Sequence, residues 1–415
     1  RRGGGFKFPG FGGGGGAGGT TTLGTVSGGG MDATKFKVAW RQGGGTMMQK
    51  GGFGYVFFGT YDATPNPNAR PVSVEVCIKL PNEDPDSVKA HQGEMAINKK
   101  VAESGGIPGV ADFIGTVDLN PIAAQLPPGI GSREGIVWRV VKGKTLDNFF
   151  DRGGGMSPVV ANTLNIRSEP PTKIKGGVVY IKTALCEKVL GESLLPLAQL
   201  HERGIIHRDL KPRNIMLSER TPNTPLCIID FGSAVTKGNR PFMNDYTEVY
   251  APPEAPVPDG GNPFSYDIFT LGIVGLRVLM PSLIAGENGI ATLGKVCVAE
   301  IPSYNYDIKA WASARANDPG GQFEFRALNK ECEGLMQQPV LLELLSRMLS
   351  PNPRERPSAE ECLRMLGPQW EAKLAQAKQG QQSRGNCGTC GQPVLSTDVG
   401  RFRDARGVYF HQQCQ

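Results

Sequence analysis

Apolar and polar positions change their period partway along the chain. Between residues 35 and 80, short runs rich in β-branched and aromatic residues read as strands. They are KFKVAW (35–40), GYVFFGTY (54–61) and VSVEVCIKL (72–80), separated by Gly and Pro-Asn turn signals. A helical pattern covers 88–101, and one more strand, GIVWRVV (135–141), precedes a Gly/Pro-rich stretch. Beyond it the period is mostly helical, over 183–203, 267–280, 340–349 and 359–366. A strand-rich start followed by a helix-rich remainder predicts an α+β fold in two lobes with a cleft between them. The expected limits are 35–141 for the first lobe and 142–370 for the second. Residues 1–34 form a Gly-dominated leader that cannot offset its ordering entropy and is expected to be disordered. A polar, Gln-rich linker (371–385) leads to a small Cys-rich tail (386–415).

Composition narrows the classes. With 415 residues and 39% apolar content, the chain can bury a sizeable core. Its net charge of +6 is scattered, with no Lys/Arg run and no basic-aromatic interleaving, so nucleic acid is not an expected partner. No run reaches the ~18 to 20 apolar residues of a membrane helix. The most apolar one, 269–280, is interrupted by Arg277 and reads as a core helix. The chain starts at Arg1-Arg2 and stops at Cys414-Gln415, so targeting signals or anchors can lie outside it. Six of nine cysteines (Cys77, Cys186, Cys227, Cys297, Cys332, Cys362) stand singly, which suits a reducing compartment such as the cytoplasm.

Several motifs carry chemistry, in a fixed order. QKGGFGYV (49–56) clusters Gly51 and Gly54 ahead of Val56, where a bare backbone can approach phosphates. VCIK places Lys79 within an apolar strand, a costly position unless it is paired. Glu94, in HQGEMAINKKV, is the candidate partner, although Glu83 and Glu103 flank it and leave the register open. IIHRDLKPRNIML (205–217) sets Asp209, Lys211 and Asn214 in one loop, and LCIIDFG ends a strand on Asp230 beside a permissive glycine. TEVYAPPE (247–254) closes on Glu254. Asp267 opens a long helix, and Arg356 lies in RERPSAEECL.

From about residue 35 to 366, this set resembles the eukaryotic protein kinase superfamily. The resemblance implies ATP and Mg²⁺ as cofactors and a Ser/Thr acceptor on a protein substrate. Asp209 would be the catalytic base, and Lys211 would neutralise charge on the transferring phosphoryl group. Gly51, Gly54, Val56, Lys79 and Glu94 would form the nucleotide site, with Gln49 in place of the first loop glycine. Asn214 and Asp230 would hold Mg²⁺. Glu254 with Arg356 would be a structural ion pair, and Asp267 would hold the catalytic-loop backbone. Lys211 and Thr247 follow the serine/threonine pattern. In that family an Arg at the place of Arg208 often accompanies activation-loop control, but Thr236, Tyr246 and Thr247 read as ordinary loop hydroxyls, and none is singled out as a phosphosite.

Within the superfamily the chain is similar to the thylakoid state-transition kinases of algae and plants. That likeness rests on GEMAINKKV (93–101), YDIFTLGIVGLRVLMPSL (266–283) and YDIKAW (306–311). It implies a chloroplast kinase acting on threonines of light-harvesting or photosystem proteins. That family carries a membrane-spanning stretch and a cysteine pair ahead of the kinase domain, where this chain has its Gly-rich leader.

The tail reads Cys-x2-Cys-x20-His-x2-Cys through Cys387, Cys390, His411 and Cys414, a donor set suited to tetrahedral, structural Zn²⁺. It resembles the first zinc module of a LIM domain, which implies a protein partner docking there. A redox Cys-x2-Cys and unligated cysteines are the competing readings. At the level of function, a Ser/Thr kinase leads. A pseudokinase, or a scaffold acting through the zinc module, is the alternative, and retention of Lys79, Asp209, Asn214 and Asp230 weighs against it.

Overall fold

The computed structural model describes residues 30–38, 48–50, 54–64, 71–150, 158–218, 224–239, 247–255, 262–284, 286–318, 323, 325–380, 383–386, 393–395, 402–403 and 409–410. These fall into two units, one formed by 1–107, 111–141 and 375–415 and the other by 108–110 and 142–374.

The first unit is built on strands β1 (Phe36–Val38), β2 (Met48–Lys50), β3 (Gly54–Asp62), β4 (Ser73–Pro81), β5 (Phe113–Asp118) and β6 (Glu134–Arg139), with helix α1 (Pro85–Glu103). The sheet order is β1-β3-β4-β6-β5, and β2 pairs with β3. Alternation along β4 buries Val74, Val76, Ile78 and Leu80 with Phe57, Val117 and Val137. Gly54 sits where the backbone of β4 approaches closely: a Cβ there would lie 2.2 Å from the Leu80 carbonyl oxygen. Helix α1 starts because Asp84 caps it, its carboxylate accepting from Ser87 N–H at 2.8 Å, and Pro85 occupies the first turn. Residues 31–33 had been expected in the leader, yet Met31 and Ala33 are buried and Met31 N–H donates to Thr116 O at 2.7 Å. Burial of these two apolar side chains against the sheet stabilises the segment, and residues 1–29 of the expected leader lie outside the described residues.

The second unit contains β7 (Gly143–Thr145), α2 (Leu146–Phe149), α3 (Pro158–Thr163), the hairpin β8 (Thr172–Ile174) and β9 (Gly177–Val179), and α4 (Thr183–Glu202). Next come β10 (Ile205–Ile206), β11 (Ile215–Ser218), β12 (Leu226–Ile228), β13 (Val235–Thr236) and α5 (Ser265–Leu279). Helices α6 (Gly286–Lys295), α7 (Ile301–Ser303), α8 (Ile308–Ala316), α9 (Arg326–Met336), α10 (Pro339–Met348) and α11 (Ala359–Leu366) follow, then α12 (Pro368–Gly380). Every residue of α5 is buried, Asp267 and Arg277 included, as expected of a core helix that is apolar on nearly all sides. The stretch expected as a linker from residue 371 instead continues α12 to Gly380. Trp370 is the reason: it packs over Gly191 of α4, where any Cβ would meet its ring at 2.3 Å, and Lys373 reaches Glu192 at 2.8 Å.

The tail contributes β14 (Ser383–Asn386), β15 (Pro393–Leu395), β16 (Phe402–Arg403) and β17 (Tyr409–Phe410). Cys387, Cys390, His411 and Cys414 lie outside the described residues. Among the described residues, no helix is long and apolar enough to cross a membrane.

Candidate active site

In the first unit the central strand β4 carries Lys79, directly opposite Val56 of β3 on one side and Ile136 of β6 on the other. Its ammonium lies 2.7 Å from Glu94 Oε2, with Glu94 buried on the inner face of α1. The register that the sequence left open is therefore Glu94, not Glu83 or Glu103. Helical phase explains the choice: Ser87, His91, Glu94, Asn98 and Val101 recur every three or four residues and are all buried. Gly51 lies outside the described residues.

In the second unit the loop between β10 and β11 gathers the predicted residues around Asp209. Lys211 Nζ lies 2.7 Å from Asp209 Oδ2 and 2.9 Å from Oδ1. Thr247 Oγ1 donates to Asp209 Oδ1 at 3.1 Å and accepts from Lys211 Nζ at 3.0 Å. Asn214 Nδ2 donates to Asp209 O at 2.7 Å and to Oδ2 at 3.0 Å. Those bonds use the amide nitrogen and not its oxygen. Asp230 follows β12 with φ 64°, and Ile229 N–H beside it donates to Asn214 O at 3.0 Å. The backbone thus ties the two oxygen-bearing side chains together.

Asp267 holds the loop from beneath. It is fully buried at the start of α5, with Oδ1 accepting from Arg208 N–H at 2.7 Å. Its Oδ2 accepts from His207 N–H at 2.8 Å and from His201 Nε2 at 2.9 Å. Burial works to raise its pKa, but the hydrogen bond and charge of His201 and the backbone donor of His207 outweigh it and hold the carboxyl below the usual range. These bonds keep Arg208 in the left-handed region, φ 66°, which costs a non-glycine residue about 1–2 kcal/mol. His207 bonds on both nitrogens: Nε2 meets Ile229 O at 3.1 Å, and Nδ1 accepts from Asp209 N–H at 3.3 Å. This pattern places a ring proton on Nε2 and leaves Nδ1 as the acceptor.

Arg356, buried, meets Glu254 through two guanidinium nitrogens at 2.5 and 2.8 Å and also donates to Ser350 O. The predicted pair is therefore bidentate and hydrogen-bonded to its surroundings. The six cysteines among the described residues are free thiols. Withdrawal from water pushes Cys77 and Cys297 up to about 12, partly countered by Lys79 and Arg277 respectively, so neither is a ready thiolate. His201, His207, Asn98 and Trp138 escaped the sequence reading, since nothing in their spacing announces a partner some 20 to 66 residues away.

Residues 171–366 match the protein kinase domain family. Among curated relatives, a calcium/calmodulin-dependent serine/threonine-protein kinase of Malus domestica is 31% identical over 172 residues, covering 40% of this chain and 34% of its own length. Mitogen-activated protein kinase 3 of Arabidopsis thaliana is 27% identical over 237 residues, covering 49% of this chain and 60% of its own. The chain thus spans between a third and three-fifths of these two relatives. Among solved structures, the crystal structure of an Stt7 homolog from Micromonas algae soaked with ATP superposes with a TM-score of 0.58 at 21% identity. That match covers 86% of this chain and 97% of the homolog. The fold is that of a protein kinase, a sheet-rich unit and a helical unit.

Proposed function

We propose that the chain is an ATP- and Mg²⁺-dependent protein serine/threonine kinase. The observation that carries this reading is the Asp209 carboxylate, surrounded by Lys211, Thr247 and Asn214 at 2.7–3.1 Å. Asp209 accepts the proton of the attacking hydroxyl, and Lys211 offsets charge on the phosphoryl group in transfer. Thr247 bridges Asp209 and Lys211, fixing their separation. The Lys79–Glu94 pair fits a phosphate-binding ammonium held in place by a buried carboxylate. Gly54, with Gly51 and Val56, belongs to the loop that would cover the phosphates. Asn214 and Asp230 offer the hard oxygen donors that Mg²⁺ requires, and they would hold it. Bound there, the ion neutralises phosphate charge.

The acceptors would be threonines of thylakoid light-harvesting or photosystem proteins in the chloroplast, a reading supported by the segments 93–101, 266–283 and 306–311. Cys387, Cys390, His411 and Cys414 would bind one structural Zn²⁺ per chain and present a docking surface for a protein partner, a reading supported by their spacing. Incubating the full chain with Mg·ATP and a threonine-containing protein tests the activity: phosphothreonine or phosphoserine should appear by mass spectrometry, and phosphotyrosine alone or no transfer would contradict it. Zinc content tests the tail, with about one ion per chain expected and a metal-free purified chain refuting it.

A further inference from the structure

The inward stripe of α1 is polar, and Asn98 uses both ends of its amide. Its Oδ1 accepts from Trp138 Nε1 at 2.8 Å, and its Nδ2 donates to the main-chain oxygen of Glu94 at 2.8 Å. Both bonds are buried, and Asn98 is only 1% exposed. Trp138 lies on β6 opposite Cys77 of β4, two positions from Ile136, which faces Lys79. Polar links on successive turns of α1 therefore join it to the sheet: His91 to Glu134 O, Glu94 to Lys79 and Asn98 to Trp138. Around the second link the contacts are apolar: Met95, Phe113 and Ile136, with Cys77, Ala102 and Ala111.

We propose that the Trp138–Asn98 hydrogen bond is a positioning device that holds Glu94 in register with Lys79. An apolar pair would fill the same space and demand no partner, so packing alone does not call for Asn and an indole N–H here. What the pair adds is direction. Only one rotation and one translation of α1 satisfy it together with the Lys79–Glu94 pair and the His91–Glu134 bond, and any slide leaves a buried donor and a buried acceptor unpaired. Asn98 transmits that constraint to Glu94 itself, because its other end bonds the Glu94 carbonyl.

The activity arm of the test rests on the kinase reading; the exchange arm does not. In the full chain, Trp138→Phe and Asn98→Leu should each speed amide hydrogen exchange in α1 about tenfold or more and raise the KM for ATP by a similar factor. Their effect on kcat should be smaller. The double variant Trp138→Phe/Asn98→Leu removes both buried polar groups, so its melting temperature should recover towards wild type while α1 exchange and KM stay raised. Adding Trp138→Phe to Glu94→Gln should not raise KM further. If exchange and KM recover together with stability in the double variant, the pair is packing only and the proposal is overturned. Unchanged α1 exchange in both single variants overturns it whether or not the chain transfers phosphate.

Discussion

Asp267→Asn isolates the support beneath the loop that carries Asp209 with the smallest change of shape. The carboxylate accepts from Arg208 N–H, His207 N–H and His201 at 2.7 to 2.9 Å in a fully buried site. An amide keeps one acceptor oxygen and turns an NH₂ group towards at least one of those donors. A charge-assisted bond is lost, about 1.5–3 kcal/mol, and a buried N–H is left unpaired, about 1–3 kcal/mol. Relaxation of Arg208 from φ 66° returns about 1–2 kcal/mol. The net loss is about 3 kcal/mol, which lowers the melting temperature of a unit of this size by about 6–12 °C. Because the loop carries Asp209, phosphoryl transfer should fall by about a hundredfold or more even where the protein is folded. The pH dependence has a definite sign. A carboxyl held below its unfolded pKa contributes stability that is present above about pH 4 and lost as pH falls further. Asp267→Asn should therefore flatten the acid limb of the melting curve. Scanning calorimetry across pH is the assay, and a melting temperature within about 2 °C of wild type at pH 7 would refute the reasoning.

Two buried groups should give opposite pH signatures. Glu331, whose carboxylate accepts from Ser282 N–H and Oγ, is pushed up to about 7 by burial. Its contribution is full below about pH 4.5 and lost as pH rises through about 7, at most roughly 3 kcal/mol. Glu331→Gln should abolish that slope in thermal melts of the second unit, and a persisting slope would count against the assignment. His91 is pushed down to about 4 by burial, and its Nδ1 has no hydrogen-bond partner while Nε2 meets Glu134 O at 2.8 Å. Its contribution is full above about pH 6.5 and lost as pH falls towards 4, so His91→Gln should protect α1 from acid-induced hydrogen exchange, and no protection would contradict the account.

Much of this molecule is legible in its pattern. The strands at 54–61 and 72–80 and the helices at 183–203, 267–280, 340–349 and 359–366 match observed elements to within a few residues at each end. Strand β5 hid because Gly115, at φ 153°, interrupts FIGTVD and shifts its register against β6. Helices α8 and α9 hid because their buried faces include Arg315 and Glu331, so apolar periodicity is diluted. The same effect left Glu94 ambiguous: the stripe 87, 91, 94, 98 is polar, and hydrophobic period cannot find it. Asp209, Lys211 and Asn214 were legible because they share one short loop. The bond from Trp138 to Asn98 was not, because it spans 40 residues and depends on how α1 lies on the sheet.

Asp209→Asn tests the central claim most directly. The side chain keeps its size and its bonds to Lys211 and Thr247 through one oxygen and gives up the contacts that Asn214 Nδ2 and Lys211 Nζ make with the other, but it no longer accepts a proton. Measured as phosphate transferred from Mg·ATP to a threonine-containing protein, kcat should fall by about 10²- to 10⁴-fold, with melting temperature and ATP affinity close to wild type. Transfer at the wild-type rate by the Asn variant would contradict the account.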